Sequence, residues 1–203
     1  MLHSMGGSPF FSHFPEQNRG SHFSERMRAN QAPVFRGRNP IAGHPRTWPK
    51  VWPGDAVPPL RKNQLEEKER AEFLNEFNQY RAKYGLKPVK LNKQLSEASD
   101  KHSLYQTRLN SCDHYGPRGK LHWHTGRARE AGYNGRPVSE NVAAGQKSIK
   151  EVIWGWHMSP GHRRAMLDPN ITEIGIGFRR GKKGTYGGER WTFMSGKGGR
   201  DLA

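Results

Sequence analysis

The 203-residue sequence predicts an α+β domain from residue 63 to the C-terminus, preceded by a long extended arm. Two patterns support this fold class. Amphipathic helical stripes fill the first half of the region, and strand-like alternation fills its end. Helices followed by strands are typical of layered α+β domains rather than of alternating βαβ units. A change of composition near residue 61 separates the domain from the arm.

The arm covers residues 1–62. It holds 9 of the 14 prolines, its arginines outnumber its acidic residues, and it shows no helical or strand periodicity. Such a composition predicts a segment that cannot fold alone. Linkers are normally poor in aromatic residues, so the rings in this arm predict anchors that dock onto protein partners in a larger assembly. These rings are Phe10, Phe11, Phe14, Phe23, Phe35, Trp48 and Trp52.

Two helices open the domain. The first has aromatic residues at steps of four, three and four along one face, and Gly85 ends it. Its stripe consists of Phe73, Phe77, Tyr80 and Tyr84. Asn92 is the predicted N-cap of the second helix. The stripe of that helix again follows steps of three and four, at Leu95, Ala98, His102, Tyr105 and Leu109.

The rest of the domain is predicted from caps, turns and alternation. Ser148 is a predicted N-cap, and Ser159-Pro160 is a second strong helix start. Ile174, Ile176 and Phe178 alternate with glycines, which indicates a strand. The predicted elements are helices at 124–131 and 148–156, a third helix that begins at 160 and ends before 168, and strands at 138–144, 173–179 and 190–194. A turn rich in glycine and lysine, 181–188, joins the last two strands.

The formal net charge is +16. An excess of this size favours polyanionic partners such as nucleic acid, acidic glycans or anionic membrane surfaces. An ordinary solvated surface is the alternative, and both interpretations stay open. The single cysteine, Cys112, excludes an intramolecular disulfide and therefore a disulfide-stapled scaffold.

No stretch approaches the roughly 18 consecutive apolar residues of a membrane span, so no transmembrane segment is predicted. The first twenty residues lack a cationic region followed by an apolar one, and no ordinary signal peptide is predicted either.

Three short motifs carry the candidate chemistry: SCDHYG with His114, SENVAAG with Glu140, and WGWHMSPGHRRAMLDP with His162. Two imidazoles and one carboxylate are a ligand set that zinc accepts, with a position left for water. The helix N-terminus favours the neutral, ligating form of His162. Glu140 is expected either to ligate directly or to orient a histidine from behind. Purely structural roles, such as loop hydrogen bonds and helix capping, are the alternatives.

Four further positions have simpler interpretations. His102 lies on an apolar stripe and is predicted to be a hydrogen-bonded core histidine. His122 and His124 flank an aromatic residue, and an exposed loop is favoured there over a metal site. Of the two tryptophans in the 148–156 helix, Trp156 is predicted to be the buried one.

With the segment LNEFNQYRAKYGLKPVKLNKQLSEAS, the three motifs resemble the CAP superfamily (cysteine-rich secretory, antigen 5 and pathogenesis-related-1 proteins), in particular its bacterial, cysteine-poor branch. The resemblance runs in order from Phe73 to Trp191. It implies a three-layer α-β-α sandwich around a small antiparallel sheet. It also implies a cleft in which His114, Glu140 and His162 converge, sometimes with a divalent metal, for which zinc is the expected ion. The second glutamate of the family falls on Ser159, and Phe193 stands where the branch often has glutamine.

The resemblance therefore implies a CAP domain, residues 63–203, that acts as a binding or structural module and is anchored by its arm. The implied location is extracellular or in the cell envelope, with a virion or another large particle as an alternative. Whether the domain is an enzyme stays open. The first alternative function is a metal-dependent, peptidase-like hydrolase with His114, Glu140 and His162 as catalytic residues and Glu140 as the general base. The second is binding of a polyanion or nucleic acid through the arm and the C-terminal hairpin.

Overall fold

The computed structural model describes residue 60, residues 62–184 and residues 186–198. The predicted arm lies almost wholly outside these residues, so its docking role and its boundary with the domain stay predictions. Within the described part the elements are α1 (Glu67–Ala82), β1 (Lys90–Leu91), α2 (Lys93–Leu109), α3 (His124–Glu130), β2 (Arg136–Ala144), α4 (Ile149–Met158), α5 (Pro160–Met166), β3 (Glu173–Gly184) and β4 (Gly187–Lys197). None of the helices seen in this part of the chain is long and apolar enough to cross a membrane.

The four described strands form one sheet in the order β1-β3-β4-β2. The pairs β3–β4 and β2–β4 are antiparallel, as predicted. The edge strand β1 is a correction, because it runs parallel to β3 and pairs through Lys90 and Leu91 alone. A strand of two residues is too short to show a periodicity of two, and its sequence therefore gave no signal.

The closing hairpin is longer than predicted. Strand β3 continues to Gly184 and β4 begins at Gly187, so most of the predicted 181–188 turn belongs to the two strands, with Gly184 paired to Gly187. The register shifts between Arg180 and Gly184, where the ladder is irregular. Glycine and lysine are turn signals in a sequence, but pairing with a neighbouring strand outweighs that local preference here.

The sheet separates two apolar clusters and makes the domain three-layered. On one face α1, α4 and α5 cover the larger cluster, in which the predicted ring stripe of Phe73, Phe77 and Tyr80 is buried with Trp156. On the other face α2 and α3 cover a smaller cluster. Side chains alternate along β4, so Phe193 belongs to the first cluster and Met194 to the second. This arrangement confirms the predicted sandwich.

Helix α2 lies unusually close to strand β3. A Cβ atom on Gly175 would lie 2.1 Å from the carbonyl carbon of Leu95, and one on Gly177 would lie 2.3 Å from that of Ser99. Only glycine permits this approach of two backbones. The alternation of glycine with large apolar residues in β3 therefore gives one face to the aromatic core and the other face to α2.

The buried face of α2 is rotated away from the predicted stripe. Asn92 caps the helix as predicted, since its Oδ1 accepts a hydrogen bond from the backbone nitrogen of Leu95 at 3.0 Å. Ser103 and Gln106 face the sheet and both donate to the hydroxyl of Thr192. The last residue of the predicted stripe, Leu109, is 58% exposed, so the stripe extends beyond the buried face. Small and polar side chains face the sheet because the glycines of β3 bring the helix too close for large ones.

Candidate functional site

His114 lies in a loop that α2 holds in place. The backbone nitrogen of Asp113 donates to Oε1 of Gln106 at 3.2 Å. Nε2 of His102 lies 3.0 Å from the carbonyl oxygen of Asp113. His102 is 1% exposed, which confirms the predicted hydrogen-bonded core histidine. The two side chains of α2 therefore determine where the backbone next to His114 runs.

Glu140 stands directly behind His114. Its Oε1 lies 3.0 Å from Nδ1 of His114, and its side chain is 1% exposed, whereas that of His114 is 45% exposed. A carboxylate oxygen only accepts, so Nδ1 carries the hydrogen, and in the neutral imidazole Nε2 of His114 is the nitrogen with a free lone pair. Of the two roles expected for Glu140, the geometry matches the one that orients a histidine from behind.

Arg127 completes this group, and sequence reasoning missed it. Its Nη2 donates to Oε2 of Glu140 at 2.5 Å and to the carbonyl oxygen of His114 at 3.2 Å. Its Nη1 donates to the carbonyl oxygens of Leu121 and His122 at 3.0 and 2.9 Å. One buried guanidinium thus ties the loop of residues 114–122 to Glu140. The only signal in the sequence is an arginine beside a small residue in a short predicted helix.

The charge on Glu140 is stabilised by its neighbours. Burial alone would raise the pKa of its carboxyl group. The hydrogen bond from His114 and the nearby charge of Arg127 outweigh burial, so the pKa of Glu140 is lowered. Glu140 is therefore an ionised acceptor at neutral pH.

His162 faces the same site from α5. Nδ2 of Asn141, a buried residue next to Glu140, donates to the carbonyl oxygen of His162 at 3.0 Å. The ring centroids of His114 and His162 are 6.4 Å apart. Burial, and then the proximity of His114, lower the pKa of His162 to about 4, so this imidazole is neutral at neutral pH. Consecutive residues of the SENVAAG motif therefore hold the two histidines, which we call the two-histidine site.

Ser159 ends α4 and precedes α5. Its side chain makes no capping hydrogen bond, although its backbone has the extended conformation of an N-cap. The residue at the family's fourth position is thus a hydroxyl three residues before His162. Phe193, the other departure from the branch, is fully buried against Phe77 and Trp156 and belongs to the core.

An aromatic group borders His114. Tyr115 is 52% and Trp123 53% exposed, and they are among the most exposed large apolar side chains of the described residues. The ring of His122 lies 4.9 Å from that of Tyr115 and 5.1 Å from that of Trp123. We call these three residues the aromatic rim. The predicted exposed loop is wrong for His124, which is half-buried, begins α3 and has its pKa lowered by burial.

The side chains as placed do not match a three-ligand zinc site. Two imidazoles that share a tetrahedral zinc at about 2.0–2.1 Å have ring centroids about 5 Å apart. The centroids of His114 and His162 are 6.4 Å apart, and both oxygens of Glu140 have other partners. Across the described ranges no group of three or more His, Cys, Asp or Glu is arranged to hold a metal. A divalent metal here stays a prediction from the resemblance.

Comparison with the sequences of known proteins adds two findings. The model of the "Cysteine-rich secretory protein family", CAP, matches residues 74–195. The uncharacterized protein YkwD of Bacillus subtilis (strain 168) is 35% identical over 101 residues, which are 50% of this chain and 38% of YkwD. The chain therefore spans well under half of that relative's length.

Two solved structures share the fold. An extracellular protein containing a SCP domain from Bacillus anthracis matches with a TM-score of 0.56 and 20% identity, over 65% of this chain and 41% of the other. An outer surface protein of Borrelia burgdorferi matches with a TM-score of 0.55 and 16% identity, over 67% of this chain and 98% of the other. At these identities the likeness shows the fold alone.

Proposed function

Because the chain belongs to the Cysteine-rich secretory protein (CAP) family, we propose that its domain is an extracellular or cell-surface binding module whose ligand contacts the two-histidine site. The observation that supports binding over hydrolysis is the engagement of Glu140. A general base must reach the proton of the attacking water. Both oxygens of Glu140 are already hydrogen-bonded to His114 and Arg127, and the side chain is buried.

The aromatic rim supports a binding role. Exposed tryptophan and tyrosine side chains are enriched where proteins bind their partners, since they bury a large area and lose little conformational entropy. Tyr115 follows His114 in the chain, and its ring lies 5.3 Å from that of Trp123. In the neutral imidazole of His114, Nε2 is free to accept a hydrogen bond. A ligand that presents an apolar surface next to a hydrogen-bond donor would complement this arrangement.

The proposed location rests on the resemblance and on the relatives. The Bacillus anthracis protein is described as extracellular and the Borrelia protein as an outer surface protein. The aromatic, proline-rich arm of residues 1–62 would then attach the domain to a larger body such as a cell envelope or a virion. This part of the proposal rests on composition, because the arm lies outside the described residues.

The test uses residues 60–203, so that the arm cannot retain the protein, and isolated cell envelopes of the organism that encodes it. We expect the wild type to be retained on the envelopes, and His114→Ala and Trp123→Ala to reduce retention at least tenfold. Leu109→Ala is the matched control, because Leu109 is an exposed large apolar residue that lies outside the site. Unchanged retention by the site variants would refute the proposed binding surface.

The same proteins test the hydrolase alternative. Peptide hydrolysis by the wild type is measured with and without added zinc, next to His114→Ala and His162→Ala. The binding proposal expects no turnover above the buffer blank in any sample. Zinc-dependent turnover by the wild type that both substitutions abolish would overturn it in favour of the hydrolase.

A further inference from the structure

We propose that a depression at one end of the sheet, where β2 begins and β4 ends, binds a phosphate monoester group. We call it the basic depression. It is lined by Arg129, Asn134, Gly135, Arg136, Lys197 and Gly198. His114, Glu140 and His162 do not line it, so the proposal stands or falls separately from the proposed function.

Two like charges face each other across the strands at this place. Arg136, the first residue of β2, is paired directly with Lys197, the last residue of β4, and both side chains are exposed. Residues opposite each other in an antiparallel pair have Cβ atoms about 4.5–5.5 Å apart, and like charges there destabilise the sheet. Within the described residues neither side chain forms an ion pair. An anion between the two charges would remove their repulsion.

Arg129 adds a third positive charge from the last turn of α3. Its Nη1 donates to the carbonyl oxygen of Tyr133 at 2.8 Å. This bond holds the guanidinium in place before a ligand arrives, which reduces the entropy lost on binding. The other N–H groups of the guanidinium stay available, and their fixed planar arrangement matches the oxygens of a phosphate group.

A glycine brings these charges together. Gly135 is buried, and a Cβ atom on it would lie 2.4 Å from the hydroxyl oxygen of Tyr133 and 2.6 Å from the carbonyl oxygen of Lys197. Only glycine permits so close an approach, so the turn between α3 and β2 lies against the end of β4. Asn134 in the same turn is exposed, and its amide can donate two further hydrogen bonds.

The charge of the basic depression matches a dianion. Its three cations are accompanied by one carboxylate, that of Glu173, which lies against Gly198. The two oxygens of Glu173 accept hydrogen bonds from Asn92 and Tyr133. Three positive charges and one negative charge leave +2, and a phosphate monoester carries about −1.5 to −2 at pH 7. A carboxylate ligand has a single charge and would leave part of this excess unpaired.

The basic depression is wide enough for a phosphate group that is attached to something larger. Its volume is about 540 Å³, and most of its cationic side chains reach into solvent. The rest of the ligand can therefore extend away from the protein. We expect the group to be bound both as inorganic phosphate and as the phosphate of a sugar.

The test is a titration of the full chain with inorganic phosphate at constant ionic strength, followed by the backbone amide signals of Asn134 and Gly135. Glucose 6-phosphate, which carries the same dianionic group, should bind within about threefold of inorganic phosphate. Acetate and dimethyl phosphate carry one charge each and should bind at least about fivefold more weakly. Acetate binding as tight as phosphate, or dimethyl phosphate binding more tightly, would overturn the assignment to a monoester.

Two variants remove one charge each. Arg136→Gln and Lys197→Gln should each raise the dissociation constant of inorganic phosphate at least about tenfold. Neither should lower the thermal midpoint at low salt, because each removes the like-charge repulsion. A lower midpoint would show that the two charges already have a counter-charge, and would contradict the proposal.

Lys147→Gln is the matched control. Lys147 is an exposed lysine that follows β2 at its other end, so its replacement should change neither the midpoint nor the dissociation constant. Absence of phosphate binding by the wild type, or equal weakening in the control, would refute a site at the basic depression.

Discussion

Arg127 limits what Glu140 can do in this protein. Its guanidinium binds one carboxylate oxygen and leaves the other to His114, so the carboxylate acts through the histidine it orients. A buried ion pair is worth little beyond an apolar replacement, but the loss of one partner alone is costly because a charge is left buried. Arg127 also holds three loop carbonyls, and the position of His114 therefore depends on this pair.

Glu140→Gln should therefore be strongly destabilising. The amide keeps the shape of the carboxylate but leaves the Arg127 charge without its partner, which predicts a loss of about 3–5 kcal/mol in the free energy of unfolding. Urea denaturation followed by circular dichroism measures it. Glu130→Gln is the matched control, because that carboxylate pairs with Lys120 at the surface. Its loss should be much smaller, because solvent screens an exposed ion pair, and equal losses in the two variants would contradict the buried-pair interpretation.

The buried histidines predict a dependence of stability on pH. The pKa of His162 is about 4 in the folded state and about 6.5 in an unfolded chain. Between these values the unfolded state binds a proton that folded His162 does not, so stability is complete above about pH 6.5 and falls as the pH is lowered towards 4. The lowered pKa values of His102 and His124 act in the same direction.

His162→Gln isolates this contribution. Between pH 7 and pH 4 the wild type should lose about 2 kcal/mol more stability than the variant, a figure reduced for the partial exposure of His162. Denaturation midpoints at both pH values measure the difference. Parallel losses in the two proteins would show that His162 is protonated freely in the folded state.

Helices α4 and α5 are both preceded by a serine, but the side chains of the two serines act differently. Ser148 accepts a hydrogen bond from the backbone nitrogen of Glu151 at 3.2 Å, as its predicted capping role requires. Ser159 occupies the N-cap position of α5 without such a bond. The backbone of Ser159 and the proline at the first position of α5 begin that helix without a side-chain cap.

Alanine substitutions should separate the two serines. Ser148→Ala should reduce the free energy of unfolding by about 1 kcal/mol, the usual contribution of a capping hydroxyl. Ser159→Ala should change it by less than about 0.5 kcal/mol. Urea titrations of both variants provide the comparison, and a larger loss for Ser159→Ala would mean that its hydroxyl has a partner after all.

For the chain as a whole, most of the positive charge belongs to the domain. Residues 1–59 contain seven lysines and arginines and three acidic residues, so they account for only a quarter of the +16 excess. A polyanion would therefore be attracted mainly by residues 60–203. The arm was expected to share the binding of a polyanion with the closing hairpin, but this distribution of charge gives the arm the smaller part.

The full chain should bind a 20-nucleotide single-stranded DNA with an affinity that falls at least tenfold between 50 and 200 mM NaCl, because bound counterions are released. Fluorescence anisotropy measures the dissociation constants. Removal of residues 1–59 should weaken binding less than threefold, since most of the charge remains. Loss of all binding on truncation would assign the effect to the arm, and salt-independent affinity would refute an electrostatic origin.

Local signals were enough for the positions of the main helices, for two of their caps and for the alternation of β3. Helical periodicity and N-caps depend on residues three or four apart, so Phe73, Phe77, Asn92 and Ser148 could be interpreted from the sequence. The motifs around His114, Glu140 and His162 could be recognised because they resemble a family. The order of these motifs along the chain does not give the distances between their side chains in the fold.

Tertiary packing decided the rest. The rotation of α2 depends on the backbone approach at Gly175 and Gly177, which are about 80 residues away along the chain. Glu140 is paired with Arg127, which lies on another element. Nothing in the sequence around either residue indicates this pairing. The small β1 and the exposure of Leu109 both follow from contacts between elements. A periodic pattern identifies an apolar face, but only the neighbouring surfaces determine which part of that face is covered.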